Sequence, residues 1–132
     1  MDRPIDAGWG SLRKTLDHMI YNIEVWTDMM LSRPVDQRPE GDSVHDLSQR
    51  LESSYADFAA LAKQIERESR MDDLWTDILD EPPRQKSYGG AIGHVITQNM
   101  HHRAEVLHIM ARLGMTDLPE GDLMGWDQRQ TR

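Results

Sequence analysis

Four of the chain's six histidines fall in one short stretch, HVITQNMHHRAEVLHIMARLG, residues 94–114. Imidazole titrates near neutrality and is the commonest nitrogen ligand for divalent metals, so such a stretch raises proton transfer and metal binding together. Spacing separates the four. With Ile92 set at zero on a helix, His94, His101 and His108 fall at about 160–200°, whereas Gln98 and His102 fall at about 240° and 280°, on the flank of the apolar stripe. Gln98 and His102 are i, i+4 neighbours, so both can address one ion. Far upstream, His18 lies at the edge of another apolar arc, in a row with Asn22, Val25 and Met29. Two imidazoles and one amide oxygen, with a position left for water or a thiol, form an open divalent-metal site that can lower the pKa of what binds there. His18, Gln98 and His102 are therefore the candidate metal ligands. His101, Glu105 and His108 make a second set at i, i+4, i+7, placed on the solvent side as an adventitious metal face. His45 reads as a surface residue. Arg103, inside the apolar stripe, is expected to pair with a buried carboxylate or a carbonyl and to serve structure.

These residues need helices to hold them. Leu12, Leu16, Met19, Ile20, Ile23, Trp26 and Met30 form one arc at helical period, predicting a helix over 11–31 with Ser11 as its N-cap. Pro34, Pro39 and Gly41 mark a loop. A second helix over about 43–68 follows Val44, Leu47, Leu51, Tyr55, Phe58, Leu61 and Ile65, with Asp42 or Ser43 as cap. A third, over about 90–113, carries Ile92, Val95, Ile96, Asn99, Val106, Met110 and Leu113, and Gly114 suits its C-terminal stop. Residues 72–80 read as a short helix or an irregular extended piece, and no segment alternates convincingly as a strand. Residues 1–10 form an N-terminal segment, and 115–132 a tail held by Leu123 and Trp126. The expectation is one all-α domain over residues 1–132, a bundle of three long amphipathic helices.

Composition narrows the function. The formal charge is −8, which repels nucleic-acid phosphates, so no nucleic-acid partner is expected. There is no cysteine, which excludes thiolate zinc sites and a cysteine nucleophile. No apolar run approaches the roughly 18 residues of a membrane span, and the N-terminus lacks the pattern of a signal peptide, so a cytoplasmic protein without membrane partners is expected. Phosphate loops, dinucleotide fingerprints and nucleophile elbows are absent from the sequence.

SLRKTLDHMIYNIEVW together with GGAIGHVITQNMHHRAEVLHIMARLGM resembles the DinB family of small helical proteins, relatives of the YfiT-type and thiol-transferase-type enzymes. Its most specific parts are His101-His102-Arg103 ahead of a Leu-Gly helix end, and a histidine followed eight residues later by tryptophan, His18 and Trp26. The resemblance covers about residues 5–127. It implies a four-helix bundle with a long crossover and a metal triad at His18, Gln98 and His102. Gln98 stands where family members carry histidine or, in some thiol-dependent relatives, glutamate, and a neutral amide is the weaker ligand. The family's usual first helix is missing by this comparison, so a partner subunit is expected to cover the bare face and the protein to be a homodimer.

Two functions follow. One is a metal-dependent enzyme, a thiol-S-transferase or hydrolase acting on a small molecule, using zinc or nickel and a low-molecular-weight thiol. The other is a non-catalytic helix bundle that binds a small ligand or a protein partner, with a degenerate metal site.

Overall fold

Hydrophobic period sets three long helices in this chain: α1 (Leu12–Met30), α2 (Val44–Arg67) and α3 (Tyr88–Arg112), followed by a short α4 (Leu123–Gln128). The computed structural model describes residues 1–35 and 41–130. Pro39 of the predicted loop lies outside the described residues. The fold is all-α, as expected, with one small addition: strands β1 (Leu74–Asp77) and β2 (Arg84–Ser87) form an antiparallel hairpin. No helix among the described residues is long and apolar enough to cross a membrane.

The helix ends follow from local chemistry. The Lys14 N–H donates to Ser11 Oγ at 3.2 Å, so Ser11 caps α1 as expected. Ser43, not Asp42, caps α2 through a capping box: the Asp46 N–H donates to Ser43 Oγ and the Ser43 N–H to Asp46 Oδ2. Beyond α3, Gly114 takes φ +92, a conformation that side-chain-bearing residues rarely adopt. Its N–H donates to the Ala111 carbonyl and that of Met115 to the Met110 carbonyl, the bond pattern of a Schellman stop.

The chain forms two compact units, residues 1–19 with 97–132, and residues 20–96. In the second unit, α1 (from Ile20), α2 and the start of α3 share a core that includes Ile23, Met30, Phe58, Ile65, Ile92 and Val95. Arg50 is buried in this unit and holds the Glu24 carboxylate at 2.5 Å, so its charge is paired. The hairpin corrects the sequence reading of residues 72–80. Trp75 and Asp77 face inward while Leu74, Ile78 and Leu79 are exposed. Trp75 meets the Trp26 ring edge to face, with centroids 5.8 Å apart. Asp77 receives a hydrogen bond from Lys86, which also lies 3.2 Å from Asp80. Burial alone would push the Asp77 carboxyl up, but the bonds from Lys86 and from the Leu79 N–H outweigh it and hold its pKa below the ordinary value.

The α3 stripe also differs from expectation. Its buried residues Ala91, Ile92, Val95, His102, Val106 and Ile109 centre near about 290° on the scale with Ile92 at zero. Ile96, expected inside, is 52% exposed, and Ile109, absent from the predicted stripe, is fully buried. Tyr55 of the α2 seam is likewise exposed.

Two stability changes are expected. Ile65→Ala empties a buried site and lowers the unfolding free energy by about 2–5 kcal/mol, while Ser43→Ala loses about 1 kcal/mol, both read by urea denaturation. Acid supplies a second measurement. The Asp77 pKa is depressed, so its contribution is complete above the unfolded carboxylate value of about 3.9 and fades as pH falls through the folded value. Lys86→Met should lower stability at neutral pH and flatten the loss of stability below about pH 4.

Candidate metal centre

The first unit is organised by a small core of Leu12, Val106 and Ile109, onto which Ile5, Ala7, Leu16 and Met110 pack. α1 contributes Leu12 and Leu16 to this core and carries His18 half a turn further on. α3 contributes Val106 and Ile109 and carries His102 one turn before Val106. The two rings meet: His18 and His102 have centroids 4.9 Å apart and planes at 89°. His102 is only 6% exposed, so it sits inside the buried face of α3 rather than on its flank.

Four neighbours complete the arrangement. Glu105, expected on the solvent side, is half-buried, and its Oε1 lies 2.8 Å from His102 Nδ1. The same oxygen lies 3.4 Å from Nε2 of the exposed His101. His101, His102 and Glu105 each offer a donor atom, and these lie within 4.8 Å of one another. Trp9 covers the other partner, its ring 4.0 Å from that of His18 and tilted by 33°. Gln98 is half-buried one turn before His102, and among the described residues its side chain shows no hydrogen bond.

Trp9 is placed by backbone chemistry. Its N–H donates to Thr15 Oγ1 at 3.1 Å, and that buried hydroxyl donates to the Ser11 carbonyl at 2.8 Å. Gly8, just before it, has φ +54, and a Cβ there would lie 2.7 Å from Thr15 Oγ1, so only glycine fits this turn. Arg13 N–H to the Met1 carbonyl and Arg112 to the Asp6 carbonyl tie the rest of the N-terminal segment. Arg103 behaves as expected, donating to the Gly121 carbonyl at 2.9 Å. That bond holds the tail, whereas Leu123 and Trp126, expected to pin it, are exposed.

The DinB family model matches residues 2–126. The chain belongs to the DinB family. No curated protein and no solved structure matches it. In this DinB chain the structure brings His18 and His102 together, sets Gln98 on the neighbouring turn, and leaves His108 exposed and outside the group. His101, His102 and Glu105 form a group that could hold a divalent ion. Imidazole nitrogen suits zinc and nickel alike, and a carboxylate on the second nitrogen of a buried histidine is the usual support for a metal ligand. Sequence reasoning missed Trp9 and the role of Glu105. The i, i+3 spacing of His102 and Glu105 was a signal for the second; nothing local marked the first.

The second unit has a cleft of about 410 Å³ lined by Trp26, Lys86, Ser87, Gly90, Ala91 and His94. Lys86 is paired with Asp77 and Asp80 there. The amides of Tyr88, Gly89 and Gly90 already donate to the Asp73 carbonyl, the Met71 carbonyl and Ser87 Oγ. The cleft therefore lacks the open cation and helix start that bind an anion.

Thr15→Val keeps the volume at position 15 but removes the acceptor for the Trp9 N–H. It is expected to cost roughly 1 kcal/mol and to make Trp9 more accessible to acrylamide, read by fluorescence quenching.

Proposed function

We propose that this DinB protein is a metal-dependent enzyme acting on a small molecule, with a divalent ion, zinc or nickel, held by His18, Gln98 and His102. The observation that carries this reading is the meeting of the His18 and His102 rings, one of them buried, from two helices far apart in sequence. Two imidazoles brought ring to ring by different helices put two nitrogen donors of the kind divalent metals favour side by side. Membership of the family and the His/Glu donor group support metal binding. A bound ion would supply Lewis acidity, lowering the pKa of a water or of a low-molecular-weight thiol attached to it.

The chain's own residues do the rest. His102 is held by packing and by Glu105, so its orientation is set before any ligand arrives. Trp9, itself 54% exposed, lies against one face of the His18 ring. Gln98 offers a neutral oxygen on the same side of α3. Thiol-S-transferase or hydrolase chemistry on a small electrophile is the reaction class this arrangement serves. A cytoplasmic homodimer goes with the proposal, and the exposed Ile96 and Met100 on α3 support a partner subunit.

The test uses untagged protein stripped of metal. Nickel is expected to bind near-stoichiometrically by elemental analysis and to quench Trp9 emission. Trp9→Phe should remove most of the quenching, and His102→Ala should remove the metal. Folded wild-type protein that takes up neither nickel nor zinc would leave the non-catalytic bundle as the better description. Sedimentation at micromolar concentration should give the mass of a dimer.

A further inference from the structure

His102 has two ring nitrogens on opposite sides, and only one can face a given ion. One arrangement uses Nδ1, with Glu105 and His101 as fellow ligands, since the donor atoms of these three lie within 4.8 Å of one another. The other uses Nε2, with Glu105 outside the ligand set. The side chain of His101 is 71% exposed, so the first arrangement would sit at the surface. Glu105 Oε1 is already 2.8 Å from His102 Nδ1, a normal length for a nitrogen–hydrogen bond to a carboxylate. An ionised carboxylate only accepts, so a neutral imidazole in this contact carries its proton on Nδ1 and its lone pair on Nε2.

We infer that Glu105 is a positioning residue: its carboxylate fixes His102 as the Nδ1–H tautomer and aims the Nε2 lone pair away from the exposed His101. The purpose of this rests on the metal reading above, but the tautomer itself does not. A histidine without such a partner prefers its proton on Nε2, so Glu105 reverses the intrinsic preference. It also stops the ring from rotating, which matters because a ligand must be deprotonated and aligned at once. His101 meets the same carboxylate oxygen at 3.4 Å, a longer contact that leaves the bond to His102 dominant.

Nitrogen-15 NMR of the imidazoles in metal-free protein tests this directly, with His101→Gln used for assignment. His102 is expected to hold its proton on Nδ1 near pH 7.5, to keep it there in Glu105→Gln, and to move it to Nε2 in Glu105→Ala. Cobalt titration gives a second readout. Glu105→Ala should weaken cobalt binding about 10–100-fold while its saturated visible spectrum matches that of the wild type, and Glu105→Gln should fall between the two. A wild-type proton on Nε2 overturns the inference without need of any variant. So does a changed saturated spectrum in Glu105→Ala, which would make Glu105 a ligand. The expected tautomer in a protein that binds no cobalt upholds the positioning role and removes the metal reading instead.

Discussion

An imidazole at a core position loses the hydration of two ring nitrogens, and α3 carries such a residue at His102, in line with Val106 and Ile109. Much of the first unit answers to that constraint. Glu105 follows one turn later, where it is half-buried and reaches Nδ1 while keeping contact with solvent, so its own charge is not fully desolvated. His18 comes from α1 to meet the other ring, and Trp9 lies against His18. Trp9 is there because Gly8 takes a left-handed turn and Thr15 offers a hydroxyl to its amide. The N-terminal segment is thus part of the centre as well as of the core.

The second unit shows how α3 gets its start. β2 ends at Ser87 and α3 begins at Tyr88, so the hairpin fixes where the helix sets off. The hairpin is anchored by Trp75 against Trp26 and by the Asp77–Lys86 pair, two inward residues of opposite character on one strand. An inward carboxylate is tolerable only because Lys86 and the Leu79 amide satisfy it. Position 87 then serves twice, ending the strand and offering its hydroxyl to the Gly90 amide.

The three long helices were legible in the sequence because each buries one face at a period of 3.6 residues, and their caps were legible because Ser11, Ser43 and Gly114 have few other reasons to sit where they do. The hairpin was not. Its inward positions are Trp75 and Asp77 and its outward ones include Leu74 and Ile78, so alternation of burial does not appear as alternation of hydropathy. The same inversion hid the true face of α3. Counting Ile96 as core and His102 as flank turned the stripe by about 50° from the buried face. His18 and His102 survived that error because His102 moved deeper rather than away. Glu105 did not survive it, since a helix wheel centred on Ile92 puts it toward water. Trp9 depends on a turn and a hydroxyl, which no periodicity encodes.

Gln98 is where the proposed chemistry departs most from a strong metal site, and charge explains what that departure does. In the proposed ligand set, two neutral imidazoles and one amide would contribute no negative charge, and the carboxylate of Glu105 would act from behind His102 rather than on the ion. Fewer anionic ligands mean weaker binding, which a buried and pre-oriented His102 partly offsets. They also leave more of the ion's charge for whatever occupies the open position, so a bound water or thiol is acidified more strongly than beside a carboxylate ligand. In that proposal, glutamine at position 98 would trade affinity for acidity. That trade suits an ion whose task is to polarise a small nucleophile, and it does not suit one whose task is to hold the fold together. The first unit has its own apolar core in Leu12, Val106 and Ile109, its tail is tied by the Arg103 side chain to the Gly121 carbonyl, and its N-terminal segment is tied by backbone bonds and by Arg112, so it is held by protein groups alone.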